Sequence, residues 1–402
     1  MAEKTVLVVV LVLAALVFAD QAFVGTAQNG SLLLQPAVGQ QVLIAGADFR
    51  ALLEKLDMVQ SKVQTLAQEV EAQARLLGDQ KCSVRADTTT ATINDPLSTW
   101  AGGVLAGNGK IYGMPHHAAS VLIVDPSVNN LDVTTITGFS GTSKWIGGVL
   151  GGNGKIYGIP HLSASVLIID PTTNTADTTT ITGLGGDFKW ASGVLASSGK
   201  IYGFPVNAAS MLIIDPTTNT TDTTTIAELG GANKWWGGAL AGNDKIYGVP
   251  YNSASVLIVD PATNTADTTT ITGLSGLAKW RNGVLASDGK IYGIPWTSES
   301  VLIIDPITNT YDATTITGLS GDEKWRLGVL AGNGKIYGFP ASSNSVLIID
   351  PTTNTSDITT ISGLVGDWAG GVLAGNGKVY GIPSTATSVL IIEQGCHIAK
   401  GL

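Results

Sequence analysis

The chain has 402 residues, 44% of them hydrophobic, and a formal net charge of −9. That is enough apolar chain for a sizeable buried core, while the negative balance and the lack of any Lys/Arg block argue against nucleic acid or an anionic membrane as partner. Charged residues make up only 13% and glycines number 50, a balance that suits an all-β extracellular protein with many tight turns.

Lys4 and an unbroken apolar run from Val6 to Phe18 open the chain, with Val17 and Ala19 as small residues before a cut at Asp20. This reads as a secretory signal over residues 1–19. The run is short for a spanning helix, which needs roughly 20 residues; an uncleaved anchor is the alternative. Asn29-Gly-Ser, Asn219-Thr-Thr and Asn354-Thr-Ser fit the glycosylation sequon and agree with secretion. Residues 20–46 carry no assignable pattern.

Residues 47–78 change texture. Asp48 to Leu77 contains no Gly or Pro, and Phe49, Leu52, Leu56, Val59, Val63, Leu66, Val70 and Leu77 recur at spacings of three and four, with Gln73 the one break. Those are a and d positions of a coiled coil. Asp48 can cap its start and Gly78 its end. Apolar or small residues at e positions (Leu53, Ala67, Ala74) point to three or more strands. The expectation is a homo-oligomer joined through residues 48–77; a helix packed on its own domain is the alternative.

The rest is a repeat. Trp100, Trp145, Trp190, Trp235, Trp280, Trp325 and Trp368 mark it, the first five intervals being 45 residues and the last 43. Four strands can be read in each unit. In the second unit they are Gly147 to Leu150, Lys155 to Pro160, Val166 to Asp170 and Asp177 to Thr182. Gly152-Asn-Gly154 suits a type I′ hairpin between the first two, and Pro171-Thr-Thr-Asn174 is a turn by its chemistry. The hydroxyl-rich fourth strand belongs at the outer rim. Four-stranded sheets repeated radially make a propeller. The chain enters the repeat on a lone fourth strand, Arg85 to Ile93, and leaves it after the third strand of a last unit, Trp368 to Ile392. The fold class is therefore an all-β, seven-bladed β-propeller over residues 82–396, closed by its N-terminal outer strand and preceded by a coiled-coil helix. Cys82 and Cys396 flank that closure at one corner, which predicts a disulfide suited to a secreted protein.

The pattern Asn153-Gly-Lys-Ile-Tyr157, Ser165 to Asp170-Pro-Thr-Thr-Asn174 and Thr178-Thr-Thr-Ile181 resembles the YVTN-type seven-bladed propellers across Asp87 to Glu393. Tyr157 is followed by Gly-Ile-Pro, however, and a Trp marks every blade. The order also differs from that of kelch repeats, which share the Gly-Gly, Tyr and Trp. The resemblance implies the fold, and an association with surface proteins or, in relatives, with lactonases and metal-dependent redox enzymes. No motif carries any of those active sites over.

Positions repeated in every blade read as structure. The tryptophans fill wedges between blades rather than forming sugar platforms, and the Asp-Pro-x-x-Asn turns are turns rather than Ca²⁺ sites. Function is expected where the repeats disagree: the loop joining the second and third strands, and the residues around each Trp. There, Trp236, Tyr251, Arg281, Trp296 and Arg326 form a candidate ligand-binding patch, because Trp, Tyr and Arg anchor interfaces. His116, His117 and His161 form a candidate metal set. No nucleophile–base pair or paired carboxylates stand at a recognisable spacing. The preferred reading is a secreted or surface binding scaffold without a cofactor, taking a protein or glycan ligand. The alternatives are a lactonase-type or metal-dependent propeller enzyme centred on the histidines, and a structural surface protein.

Overall fold

A computed structural model describes residues 23–26, 32–35, 42–44, 61, 62, 65, 84–93 and 99–394. The signal, most of the coiled-coil segment, Cys82 and Cys396 lie outside the described residues. Ser61, Lys62 and Thr65 are helical. The chain divides into two compact units, residues 1–81 with 398–402, and residues 82–397. In the first, β1 (Phe23–Thr26), β2 (Leu32–Gln35) and β3 (Val42–Ile44) form an antiparallel meander, Val24 facing Leu34 and Leu34 facing Val42. This small sheet falls in the stretch whose sequence carried no assignable pattern.

The second unit is seven four-stranded sheets. Blade 2 runs Trp145–Leu150, Ile156–Pro160, Leu167–Asp170 and Thr175–Asp177 from inside to outside. The innermost strand alternates buried and half-buried residues, while Ile156–Pro160 is buried throughout. Blade 7 supplies three strands of its own and is completed by β4 (Arg85–Asp87), antiparallel, with Glu393 opposite Arg85. The split-blade closure expected from the two ends of the repeat is thus present.

The fourth strand differs from expectation. It spans Thr175–Asp177 and stops where the sequence reading had it begin. Asp177 ends it: one carboxylate oxygen accepts from the backbone N–H of Thr179 (2.6 Å) and from its hydroxyl (2.8 Å), and the other accepts from the Thr180 hydroxyl. Short polar side chains compete with the ladder for backbone groups, so the Thr-Thr-Thr run forms a capped turn. Asp87, Asp132, Asp222, Asp267, Asp312 and Asp357 do the same. These bonds hold most of the carboxyls near pKa 2, as at Asp177.

Packing runs between blades. Trp145 is 3% exposed and lies in one cluster with Val104, Tyr112 and Met114 of blade 1 and Ile156 and Leu167 of its own blade. Its indole N–H donates to the Ser165 carbonyl at 2.8 Å, a bond repeated by all seven marker tryptophans. At the other joints the same cluster recurs, including the one where Trp100 packs on Tyr380 and Ile382 of blade 7. Glycine makes this close approach possible: a Cβ built on Gly371 would stand 1.9 Å from the Phe339 ring. The tyrosine on the second strand of each of the seven blades is fully buried, and six of these send their hydroxyls to the turn asparagine of the next blade, as Tyr157 does to Asn219 at 2.8 Å. Tyr380 to Asn129, also 2.8 Å, closes the ring. Asn219 and Asn354, read as sequon residues, are two of these stitches. Lys155 is 41% exposed and reaches Asp170 at 3.8 Å.

Candidate ligand-binding cavity

The start of every inner strand is irregular. In each blade the register against the second strand shifts just after the Trp, as between Gly158 and Pro160 in blade 2. Such bulges re-aim side chains next to binding sites. Here the re-aimed residues come from Trp-adjacent positions, and Ala101, Ile146, Trp236, Arg281, Arg326 and Ala369 line one central cavity of about 410 Å³. His116, His161, Asn207 and Ser384 reach it from the loops between second and third strands. Both variable segments of the repeat therefore meet at one place.

A second irregularity surrounds the mouth. Ser143, Phe188, Asn233, Ala278 and Glu323, each two residues before a Trp, have φ between 48° and 54°. Non-glycine residues enter this left-handed region only when their surroundings impose it. The following residue does so. Lys144, Lys189, Lys234, Lys279 and Lys324 are at most 5% exposed. Each ammonium donates to backbone carbonyls: Lys234 to Val206 (3.0 Å), Ala208 (2.9 Å) and Gly231 (2.8 Å). One blade's entry loop is thereby tied to the preceding blade's second-to-third loop. Burial pushes Lys144, Lys234 and Lys279 down to about 8. Thr99 and Asp367 hold this position in blades 1 and 7. The Asp367 carboxylate instead pairs with Arg326, through Nε at 2.9 Å and Nη2 at 2.5 Å.

All five patch residues come together. The Arg281 guanidinium carbon lies 4.4 Å from the Trp236 ring centre and 4.5 Å from that of Trp296, so the cation sits between two indoles. Tyr251 stands 5.5 Å from Trp236. Arg326 lies 5.6 Å from Trp296. Trp296 is 5% exposed, so it supports Arg281 rather than offering a face to a sugar ring.

The histidines are only partly gathered. His116 and His161 line the cavity, whereas His117 is exposed and packs edge-on against His116 at 4.2 Å. The His161 ring leans on Phe188 and Trp236, with Nδ1 2.9 Å from the Trp190 carbonyl. Among the described residues no three His, Cys, Asp or Glu side chains converge as metal ligands. Burial foremost, then neighbouring His117, His161 and both arginines, hold His116 down to about 3; burial holds His161 down to about 4. Both imidazoles are neutral at pH 7. An unfolded chain takes up protons near 6.5, so stability contributed above pH 6.5 is lost as pH falls towards about 4. Melting temperature should fall across that window, and His161→Asn should flatten the fall.

No protein-family model matches the chain, and no curated protein matches it in sequence. Solved structures match in fold. A streptogramin B lyase is similar at a TM-score of 0.62 and 11% identity, over 77% of this chain and 97% of that one. A catalytically inactive virginiamycin B lyase from Staphylococcus aureus with quinupristin is similar at 0.62 and 9%, over 77% and 99%. The extracellular domain of a two component system protein, BT4673 from B. thetaiotaomicron, is similar at 0.57 and 10%, over 92% and 46%. Identities this low establish the propeller and nothing finer, and the YVTN and kelch likenesses stay at that level.

Proposed function

We propose that the chain is a secreted or surface-displayed binding protein whose propeller takes a protein or glycan ligand at the mouth of the central cavity, with residues 48–77 gathering several heads for avidity. One observation carries this reading. The cavity is walled by the residues at which an otherwise regular repeat departs from itself, and those departures bring Arg281, Arg326, Trp236 and Tyr251 to one side. Function placed on variable loops over a rigid scaffold is the general pattern. The extracellular neighbour agrees with a display role.

Filling the cavity tests it. Ala101→Trp places an indole in the space. A glycan array and a pull-down with the full chain should give a signal that this variant lowers roughly tenfold or more, with the melting temperature preserved. A signal indifferent to the plug removes the cavity from the reading. Turnover of a lactone or other substrate, lost in His116→Ala with His161→Ala, would move the cavity to the enzymatic alternative.

A further inference from the structure

Among the described residues no carboxylate stands within ion-pair distance of Arg281; Asp367 and Glu323 attract it only from farther off. Among the described residues the acidic partner nearest in role, Asp367, is already engaged by two nitrogens of Arg326. Arg281 takes part in none of the ion pairs found there. Its flat faces are covered by Trp236 and Trp296, which leaves the edge of the fork for a partner in the cavity. Burial and the like charge of Arg326 act against the guanidinium and hold it down to about 9, yet an arginine does not escape by losing its proton. A half-buried unpaired charge is costly, and two indole faces offset only part of that. The chain as a whole is at −9, so the positive cavity runs against the overall field. Neutral imidazoles of His116 and His161, the amides of Asn207 and Asn233, and the hydroxyl of Ser384 complete the wall. Those groups match hydroxyls, and an indole-sandwiched guanidinium edge matches a planar carboxylate with two parallel hydrogen bonds.

We infer that the central cavity binds a sugar acid, its carboxylate on the free edge of Arg281 and its hydroxyls on the asparagine, histidine and serine wall. This rests on the cavity being the binding site. The volume, about 410 Å³, suits a mono- or disaccharide end rather than a long chain.

Titration calorimetry on the full chain with D-glucuronate, D-galacturonate, glucose, galactose and inorganic sulfate decides the matter. The acids should bind, and the neutral sugars should be weaker by about tenfold or more, the worth of a charge-assisted bond. Arg281→Gln should remove that preference. Arg281→Lys, which keeps the charge and loses the planar fork, should lose most of it while folding normally by circular dichroism. Equal binding of acid and neutral sugars, or acid binding that survives Arg281→Gln, overturns the inference. Sulfate binding as well as the uronates overturns the sugar half, leaving a general anion site. If no acid binds while the array yields another ligand sensitive to Ala101→Trp, the sugar acid is refuted and the binding role stands. If neither assay yields a ligand, both fall.

Discussion

Trp145→Ala should destabilise the propeller by about 3–5 kcal/mol, the range for removing a buried Trp from a core. The indole is 3% exposed, fills the space between blades 1 and 2, and donates its N–H to Ser165 at 2.8 Å. Truncation leaves a void lined by Met114 and Leu167 and takes from the Ser165 carbonyl one of its two donors, the Ser163 hydroxyl remaining, two separate losses. Urea unfolding with the midpoint and slope both fitted measures this. A tryptophan serving as a sugar platform would behave in the opposite way, with ligand affinity lost and stability unchanged. A shift below about 1 kcal/mol, the ordinary scale for a single change, would take the wedge role away from this residue. Trp368 and Trp100, at the closing joints, are equally buried and should behave alike.

A disulfide between Cys82 and Cys396 should add about 5 kcal/mol, because it closes a loop of more than 300 residues in the unfolded chain. The strand pairing at the closure supports it. Arg85 faces Glu393, and the two cysteines lie three residues beyond on each side. Peptide mapping under non-reducing conditions should recover the crosslinked pair, and reductant should lower the melting temperature of the wild type but not of Cys82→Ser with Cys396→Ser. Two free thiols in protein exported through an oxidising compartment would dismiss the bond.

The blades were legible because a 45-residue period exposes turn chemistry and strand length many times over. Closure followed from counting strands at the two ends, and Arg85 opposite Glu393 bears it out. The fourth strand was misplaced because Thr has high β preference, and only the geometry of Asp177 reveals that its carboxylate captures the next two residues instead. Site legibility divides the same way. Disagreement between repeats pointed to Arg281, Trp236 and Tyr251, and they do meet. What the letters could not convey was direction: both tryptophan faces are taken by Arg281, which turns a stacking surface into an anion-facing one. The lysine that precedes five of the seven marker tryptophans carries no sign of its burial in the sequence. It is buried because two or three carbonyls replace water around it, an arrangement no local pattern announces. Asp367 is the one acidic residue at a position held by lysine in five blades and by Thr99 in blade 1, and that exception is the available signal for the Arg326 pair.

The lysine ties have a consequence for how such a mouth can diversify. Five of the seven rim loops are anchored by lysine on the blade beside them, so those blades do not own their parts of the opening alone. Duplicating or exchanging one unit would carry half of two joints and deliver its rim residues to an altered position. Variation confined to the side chains themselves, as at Ala101, Ile146, Trp236 and Arg281, leaves the anchors untouched. The ring therefore works like a hoop with interchangeable studs: new specificities are reached by point changes on a fixed frame, and wholesale shuffling of blades is the route that the architecture obstructs.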